Sequence, residues 1–184
     1  MILFINACVR KQSRTLILAK RLLDTLDGEI KEVQLETVDF PLVDEKFINL
    51  RETLTNAGKY DDPMFSLGRD FANAESIVIA VPYYDLSFPA MLKQYFEQIN
   101  VAGLTFTYSD AGIPQGLCKA KRLYYVTTAG GPIVSDEYGF GYVKALANTF
   151  YGIKEVYRIK AEGLDIAGAD VEAILNGASS ECAW

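Results

Sequence analysis

Hydroxyl-bearing and basic side chains stand just before the first predicted helix, where they could bind an anion. They lie within residues 6–15, directly after the first apolar run of the chain. Backbone N–H groups and the positive end of the helix dipole attract anions at a helix N-terminus. Ser13 and Thr15 add hydroxyl donors, and Arg14 or Lys11 adds positive charge. The segment predicts a phosphate site without the glycine-rich signature of dinucleotide and Walker loops, the alternative being an ordinary helix cap formed by Ser13.

An aromatic loop bounded by two prolines follows a second apolar run, at residues 77–81. That run is β-branched, does not alternate and is too short for a helix, which is typical of a buried parallel strand. Pro82 and Pro89 bound the loop, and Pro89 is expected at the first position of the next helix. The residues between them could form a wall for a flat ring or bond its edge: Tyr83, Tyr84, Asp85 and Leu86. A loop that only packs on the core is the alternative.

A third loop, Ala129 to Pro132, follows the apolar run at 122–128. Its paired glycines, Gly130 and Gly131, let the backbone approach a ligand closely, although a tight turn would use them equally well. Thr128 and Ala129 complete this candidate wall. Open parallel sheets bind ligands beyond the carboxyl ends of their strands, so the three loops are expected to meet. One phosphate cradle and two ring walls suit flavin mononucleotide (FMN).

Strands alternate with helices along the chain, which indicates a parallel sheet with right-handed crossovers. Strands are predicted at 2–7, 30–35, 76–81, 122–128 and 156–161, and helices at 14–27, 64–73, 89–100, 141–151 and 169–176. Gly28 is expected to end the first helix, a short helix is expected near 45–57, and 104–108 is expected to join a small hairpin arm. We predict one flavodoxin-like α/β domain over residues 1–184, with strand order 2-1-3-4-5.

Composition excludes several classes of protein. The 184-residue chain contains no histidine, which rules out Ser-His-Asp and Cys-His catalysis and disfavours transition-metal sites. Its three cysteines form no CxxC pair and suit a reducing compartment. A net charge of −6 without a basic cluster argues against nucleic acid, and no apolar run is long enough to cross a membrane. The N-terminal residues look like a core strand rather than a signal peptide, so a cytoplasmic protein is expected.

The chain resembles the FMN-dependent NADH:quinone oxidoreductases known as azoreductases, over nearly its whole length. Residues 82–99 match the family pattern Pro-x-x-Asn/Asp-x-x-x-Pro-x-x-Leu-Lys-x-x-Phe/Ile, with Asp85 where many members have Asn. Residues 13–15 resemble the phosphate-binding turn, and 128–131 resemble the Ser/Thr-x-Gly-Gly loop beside the isoalloxazine ring. Cys8 stands where a hydroxyl residue often contacts the phosphate. Residues 36–62, which help to shape the substrate pocket in the family, are unmatched.

The resemblance implies tightly bound FMN and a ping-pong cycle. NADH or NADPH would give a hydride to the flavin, and a quinone, azo compound or nitroaromatic would then take two electrons, with no catalytic side chain required. It also implies a homodimer, and Tyr83, Tyr84, Phe106 and Tyr108 are expected to form an aromatic surface near the interface. The alternatives are a flavodoxin-type electron carrier and a non-catalytic α/β binding module. Trp184 is expected to be partly packed.

Overall fold

Five apolar segments form one parallel sheet in the computed structural model, which describes residues 1–180. The seven strands in chain order are Ile2–Asn6 (β1), Ile30–Gln34 (β2), Ser76–Ala80 (β3), Phe106–Tyr108 (β4), Pro114–Gly116 (β5), Arg122–Thr128 (β6) and Glu155–Ala161 (β7). The sheet order is β2-β1-β3-β6-β7, and every neighbouring pair is parallel. This confirms the predicted flavodoxin-like order 2-1-3-4-5.

Helices cover both faces of this sheet. They are Arg14–Leu23 (α1), Glu45–Asn56 (α2), Ser66–Asn73 (α3), Ala90–Ile99 (α4), Phe140–Leu146 (α5) and Val171–Ser180 (α6). Leu18 and Leu22 of α1 pack with Leu175 of α6 in the core of one face. Phe71 of α3 and Phe96 of α4 lie in the core of the other face. The central strands are therefore buried on both sides, as their unalternated sequences predict.

Several predicted element ends differ from the structure. The first helix ends at Leu23 instead of continuing to residue 27, and Asp24 is its C-cap. The Thr25 hydroxyl donates to the Leu22 carbonyl at 2.7 Å, which gives the chain a local alternative to another helical turn. Gly28 lies beyond this turn and does not cap the helix. Pro89 is the N-cap of α4 rather than its first helical residue.

The predicted hairpin arm is present. Strands β4 and β5 pair antiparallel and form a separate two-stranded sheet. Helix α5 continues as a short π-helix over Ala147–Tyr151, so the predicted helix at 141–151 has two parts. Two 3₁₀ turns, Leu35–Thr37 and Pro63–Phe65, complete the regular structure of residues 1–180. No helix within that range is both long and apolar enough to cross a membrane. Trp184 lies outside the described residues.

Candidate functional site

A cavity of about 260 Å³ opens at the carboxyl edge of the sheet. It is formed by the loops that follow β1, β3, β6 and β7, so the three loops singled out in the sequence do meet. The predicted site residues that line it are Cys8, Ser13, Arg14, Thr15, Pro82, Tyr83, Tyr84, Thr128, Ala129 and Gly130. The other three, Asp85, Leu86 and Gly131, are exposed and lie outside the lining. Four further residues line the cavity although the sequence analysis did not name them as ligands. Val9, Arg10 and Gln12 lie within the predicted 6–15 segment, whereas Asp165 lies outside every predicted loop.

The N-terminus of α1 lies at one end of the cavity, where Ser13, Arg14 and Thr15 line it. Ser13 is the N-cap, and its hydroxyl oxygen accepts a hydrogen bond from the Leu16 N–H at 3.3 Å. The helix cap considered as the alternative is therefore real, but it uses only an acceptor lone pair of Ser13. The hydroxyl proton can donate to a ligand or to the Cys8 sulfur, with which Ser13 also interacts. Backbone N–H groups in the first helical turn have no partner inside the helix, so they can also bind an anion.

Arg14 does not stand free in this site. Its Nη1 donates to the Leu164 carbonyl at 2.8 Å, and its Nη2 pairs with Asp165 Oδ1 at 2.7 Å. Asp165 thus neutralises part of the charge that Arg14 brings to the cavity. The carboxylate also lies close against Gly130, because a Cβ at that glycine would be 2.1 Å from Asp165 Oδ2. Only a glycine leaves room for this arrangement.

A buried hydrogen bond joins the start of α1 to the end of β6. The hydroxyl oxygens of Thr15 and Thr128 are 2.6 Å apart, and Thr15 is only 1% exposed. Either hydroxyl can be the donor. Since each would otherwise be a buried polar group without a partner, the pair fixes the two loops relative to one another.

The loop after β3 contains a turn with unusual backbone geometry. Asp85 and Leu86 have φ angles of 50° and 67°. Tyr84 and Ser87 exchange two backbone hydrogen bonds around them, at 3.1 and 2.7 Å. Positive φ at both central residues is the geometry of a two-residue hairpin turn, which glycine or asparagine normally occupies. A leucine held there in spite of its side chain indicates a position that the fold or a ligand requires.

The loop that follows Gly131 is held from two sides. Glu162 Oε2 accepts from the Ile133 N–H at 2.9 Å, and Glu162 Oε1 pairs with Lys160 at 2.8 Å. The Lys160 ammonium and the Ile133 N–H lower the pKa of Glu162 from its ordinary value. On the other side, the Ser87 hydroxyl donates to the Tyr138 carbonyl at 2.6 Å. These contacts connect the ends of β7 and β3 through one loop.

Cys8 lies in the cavity wall as a buried thiol. Its Sγ is 3.8 Å from the Ala80 carbonyl oxygen, which it can approach as a weak donor. Burial raises the pKa of Cys8, the Ser13 hydroxyl lowers it in part, and the Glu32 carboxylate adds a smaller increase. The raised pKa of Cys8 disfavours the reactive thiolate form. Within the described chain, no group of three Cys, Asp or Glu side chains is arranged to hold a metal ion.

The expected aromatic surface does not form as a unit. Phe106 is buried in the hairpin arm, where the centroid of its ring lies 4.8 Å from the centroid of the Phe150 ring. Tyr83 is partly buried, and its hydroxyl reaches the Ser135 carbonyl at 3.5 Å. Tyr84 and Tyr108 are exposed. The prediction was wrong for Phe106, because β4 uses this ring to dock the arm on the π-helix.

The sheet and the loop site define a flavodoxin-like protein, and the family model described as "Flavodoxin-like fold" matches residues 1–183. Among its relatives is FMN-dependent NADH:quinone oxidoreductase 2 of Clostridium acetobutylicum, which is 36% identical over 154 residues. The aligned region spans 81% of this chain and 76% of the relative. The chain therefore belongs to the FMN-dependent NADH:quinone oxidoreductase family.

Solved structures share the fold. The azoreductase from Bacillus anthracis str. Sterne superposes with a TM-score of 0.84 at 24% identity, covering 98% of this chain and 95% of that one. A second solved structure is an FMN-dependent NADH-azoreductase from Bacillus anthracis str. Ames Ancestor in complex with FMN. It superposes with a TM-score of 0.81 at 24% identity, and the superposition covers 98% of this chain and 94% of that one. At this identity the superpositions establish the architecture.

Proposed function

We propose that this protein is an FMN-dependent oxidoreductase that transfers two electrons from NADH or NADPH to a quinone or an azo compound. One observation carries the proposal. The Thr15–Thr128 hydrogen bond holds a helix N-terminus, suited to a phosphate, beside a loop suited to a planar ring, within one cavity. The enzymatic character of the named relatives supports the same function.

The residues present fit FMN. The phosphate would lie at the first turn of α1, near the Ser13 hydroxyl, with positive charge from Arg10 and part of that of Arg14. The ring would lie between Tyr83 or Tyr84 and the loop after β6. A Cβ added at Gly131 would meet no protein atom within 4 Å, so there is open space beside this loop. We assign five further predicted ligands to the ring and its edge: Pro82, Asp85, Leu86, Ala129 and Gly130.

The bound FMN would supply the hydride and electron chemistry, and the protein would position it and exclude water. Backbone N–H groups of the 85–86 turn and of Gly130–Gly131 are suited to stabilise negative charge at the ring edge. No side-chain base is assigned, in keeping with the absence of histidine and the raised pKa of the buried Cys8 thiol. Asp85 is exposed, and its carboxylate could instead accept from a ring N–H.

We extend the proposal to a homodimer with the cavity near its interface. Large apolar side chains on the loops around the cavity are exposed to solvent: Val9, Tyr84, Leu86, Val134, Tyr138 and Ile166. Covering them with a second copy would remove apolar surface from water. Light scattering at micromolar concentration should give twice the 20.4 kDa chain mass. We also propose nitroaromatics as further acceptors and the cytoplasm as the location.

Steady-state turnover tests the proposed activity. Purified protein saturated with FMN should oxidise NADH or NADPH in the presence of menadione. Double-reciprocal plots at several menadione concentrations should be parallel, as a ping-pong mechanism requires. FMN binding without turnover of either nicotinamide would favour the electron-carrier alternative, although the hydroxyl-poor Val9–Arg10–Lys11 segment disfavours it. Failure to bind FMN would favour a non-catalytic module.

A further inference from the structure

A small cavity of about 10 Å³ lies between β6 and the loop that joins β6 to α5. This volume is about what one water molecule requires, and it is too small for an organic ligand. Strand β7 and the start of α5 complete the walls. Tyr83 is the lining residue that this cavity shares with the larger cavity at the carboxyl edge of the sheet. The two cavities are therefore neighbours with one wall in common.

Thr127 places a buried hydroxyl in the wall of the small cavity. The residue is 2% exposed, and its Oγ1 has no hydrogen-bond partner in the part of the chain that the structure describes. Its neighbour Thr128 bonds Thr15 of α1, so Thr127 faces the opposite side of the sheet, toward α5. Buried hydroxyls are normally hydrogen-bonded, because leaving one without a partner costs free energy. A molecule in the cavity would satisfy this hydroxyl.

Two more polar groups line the same cavity. Tyr125, two residues earlier on β6, is 1% exposed, and a Cβ added at Gly139 would lie 3.2 Å from its Oη. Burial raises the pKa of Tyr125, and the nearby Thr127 hydroxyl lowers it in part, although the two hydroxyls form no direct hydrogen bond. Asp136 adds a carboxylate from the loop, and its Oδ2 pairs with Arg158 Nη1. An internal water needs two to four polar partners, and this wall supplies three.

We infer that one water molecule occupies the small cavity and bridges the Thr127 and Tyr125 hydroxyls of β6 to the Asp136 carboxylate of the loop. The water would accept from the Tyr125 phenol and donate to Thr127 Oγ1 and to Asp136 Oδ1. Thr127 is then a positioning residue for the loop. The next residue of that loop toward β6, Ser135, accepts from the Tyr83 hydroxyl at 3.5 Å. Through the water and the loop, Thr127 helps to hold Tyr83 in the wall of the larger cavity, which Thr127 itself does not line.

A high-resolution crystal structure of the full chain tests the water itself. It should show one water molecule within hydrogen-bond distance of Thr127 Oγ1, Tyr125 Oη and an Asp136 carboxylate oxygen. An empty cavity, or a water that does not contact Thr127, would overturn the inference. The result is independent of flavin binding and turnover, so the proposed function and this inference can fail separately.

Amide hydrogen exchange tests the positioning role. Thr127→Val keeps the shape of the side chain without its hydroxyl, so the Ile133 amide, which bonds Glu162 from the loop, should exchange about three- to tenfold faster, the ratio that one net hydrogen bond is worth. Thr127→Ser restores a hydroxyl and should restore slow exchange. The Phe47 amide, bonded to Asp44 at the start of α2, is the control and should not change. Unchanged exchange at Ile133, or equal acceleration at Phe47, would contradict the positioning role, and the crystal structure decides the water whether or not the valine variant folds.

Discussion

Thr15 at the start of α1 and Thr128 at the end of β6 share a buried hydrogen bond of 2.6 Å, across 113 residues of sequence. The bond connects the loop proposed to hold a phosphate with the loop proposed to face a ring. A ligand that uses both loops depends on their relative position, so this pair links the stability of the fold to the geometry of the site.

Replacing one partner of this pair should be costly. Thr15→Val leaves the Thr128 hydroxyl buried without a partner, which should lower the free energy of unfolding by about 1–3 kcal/mol. The double variant Thr15→Val/Thr128→Val should cost less than the sum of the two single variants. Urea unfolding measures all three. Thr53→Val, at an exposed position of α2, is the control and should change stability by less than about 0.5 kcal/mol. Strict additivity would show that the two hydroxyls are not coupled.

Asp165 should weaken the binding of FMN, because its carboxylate neutralises Arg14 and adds negative charge near the phosphate. We expect Asp165→Asn to tighten FMN binding several-fold and Arg14→Gln to weaken it, with both effects shrinking as ionic strength rises. Fluorescence titration of FMN measures the affinities. Glu172→Gln removes the similar 2.7 Å ion pair with Arg21, away from the cavity, and should leave the affinity unchanged. Weaker binding in Asp165→Asn would mean that Arg14 needs this carboxylate to be correctly placed.

The two adjacent glycines should respond differently to the same substitution. Gly130→Ala forces the Asp165 side chain to move and breaks its pair with Arg14, which should destabilise the protein by roughly 1 kcal/mol because the pair is exposed. The added methyl group of Gly131→Ala meets no protein atom within 4 Å, so this variant should leave stability unchanged.

A larger side chain at the second glycine should affect the flavin. Gly131→Val should lower FMN content and turnover together, by placing a side chain in the space proposed for the ring. Thermal unfolding and bound-flavin content measure the two effects, and equal destabilisation by both alanines would contradict the geometry.

Glu162 should make the loop after Gly131 sensitive to acid. Its pKa is lowered in the folded protein, so the stabilisation is fully present above the ordinary value near 4.5 and is lost as pH falls through the lower, folded value. The difference in unfolding free energy between the unsubstituted protein and Glu162→Gln should therefore be constant near neutral pH and shrink below about pH 4.5. Urea unfolding from pH 7 to pH 3 measures it. A difference that grows on acidification would mean that the folded pKa is raised.

Periodicity and composition predicted the sheet order, the helix at Glu45–Asn56 and the arm at Phe106–Tyr108, because these depend on which residues are apolar. Helix ends were less predictable. The Thr25 hydroxyl ends α1 early through a local hydrogen bond, although the apolar pattern could continue. Pro89 suits either of two adjacent helix-start positions, and its sequence does not distinguish them.

The candidate site was also predictable only in part. Strand ends and glycines indicated three of the four loops, since each loop follows a recognisable strand. No sequence pattern around Asp165 marked it as a site residue. Its role arises because β7 returns beside β6 and places the following loop against Gly130 and Arg14.

The flavin released from the purified protein tests the central claim most directly. Denaturation should release one FMN per chain, and FMN added to the stripped protein should restore the flavin absorbance in full. The triple variant Ser13→Ala/Arg14→Gln/Thr15→Ala should bind FMN at least about tenfold more weakly, because it removes polar and charged donors at the phosphate end. Cys8→Ser should retain full occupancy and turnover, since no thiolate is required. A protein that takes up FAD but not FMN, or that takes up no flavin, would contradict the account.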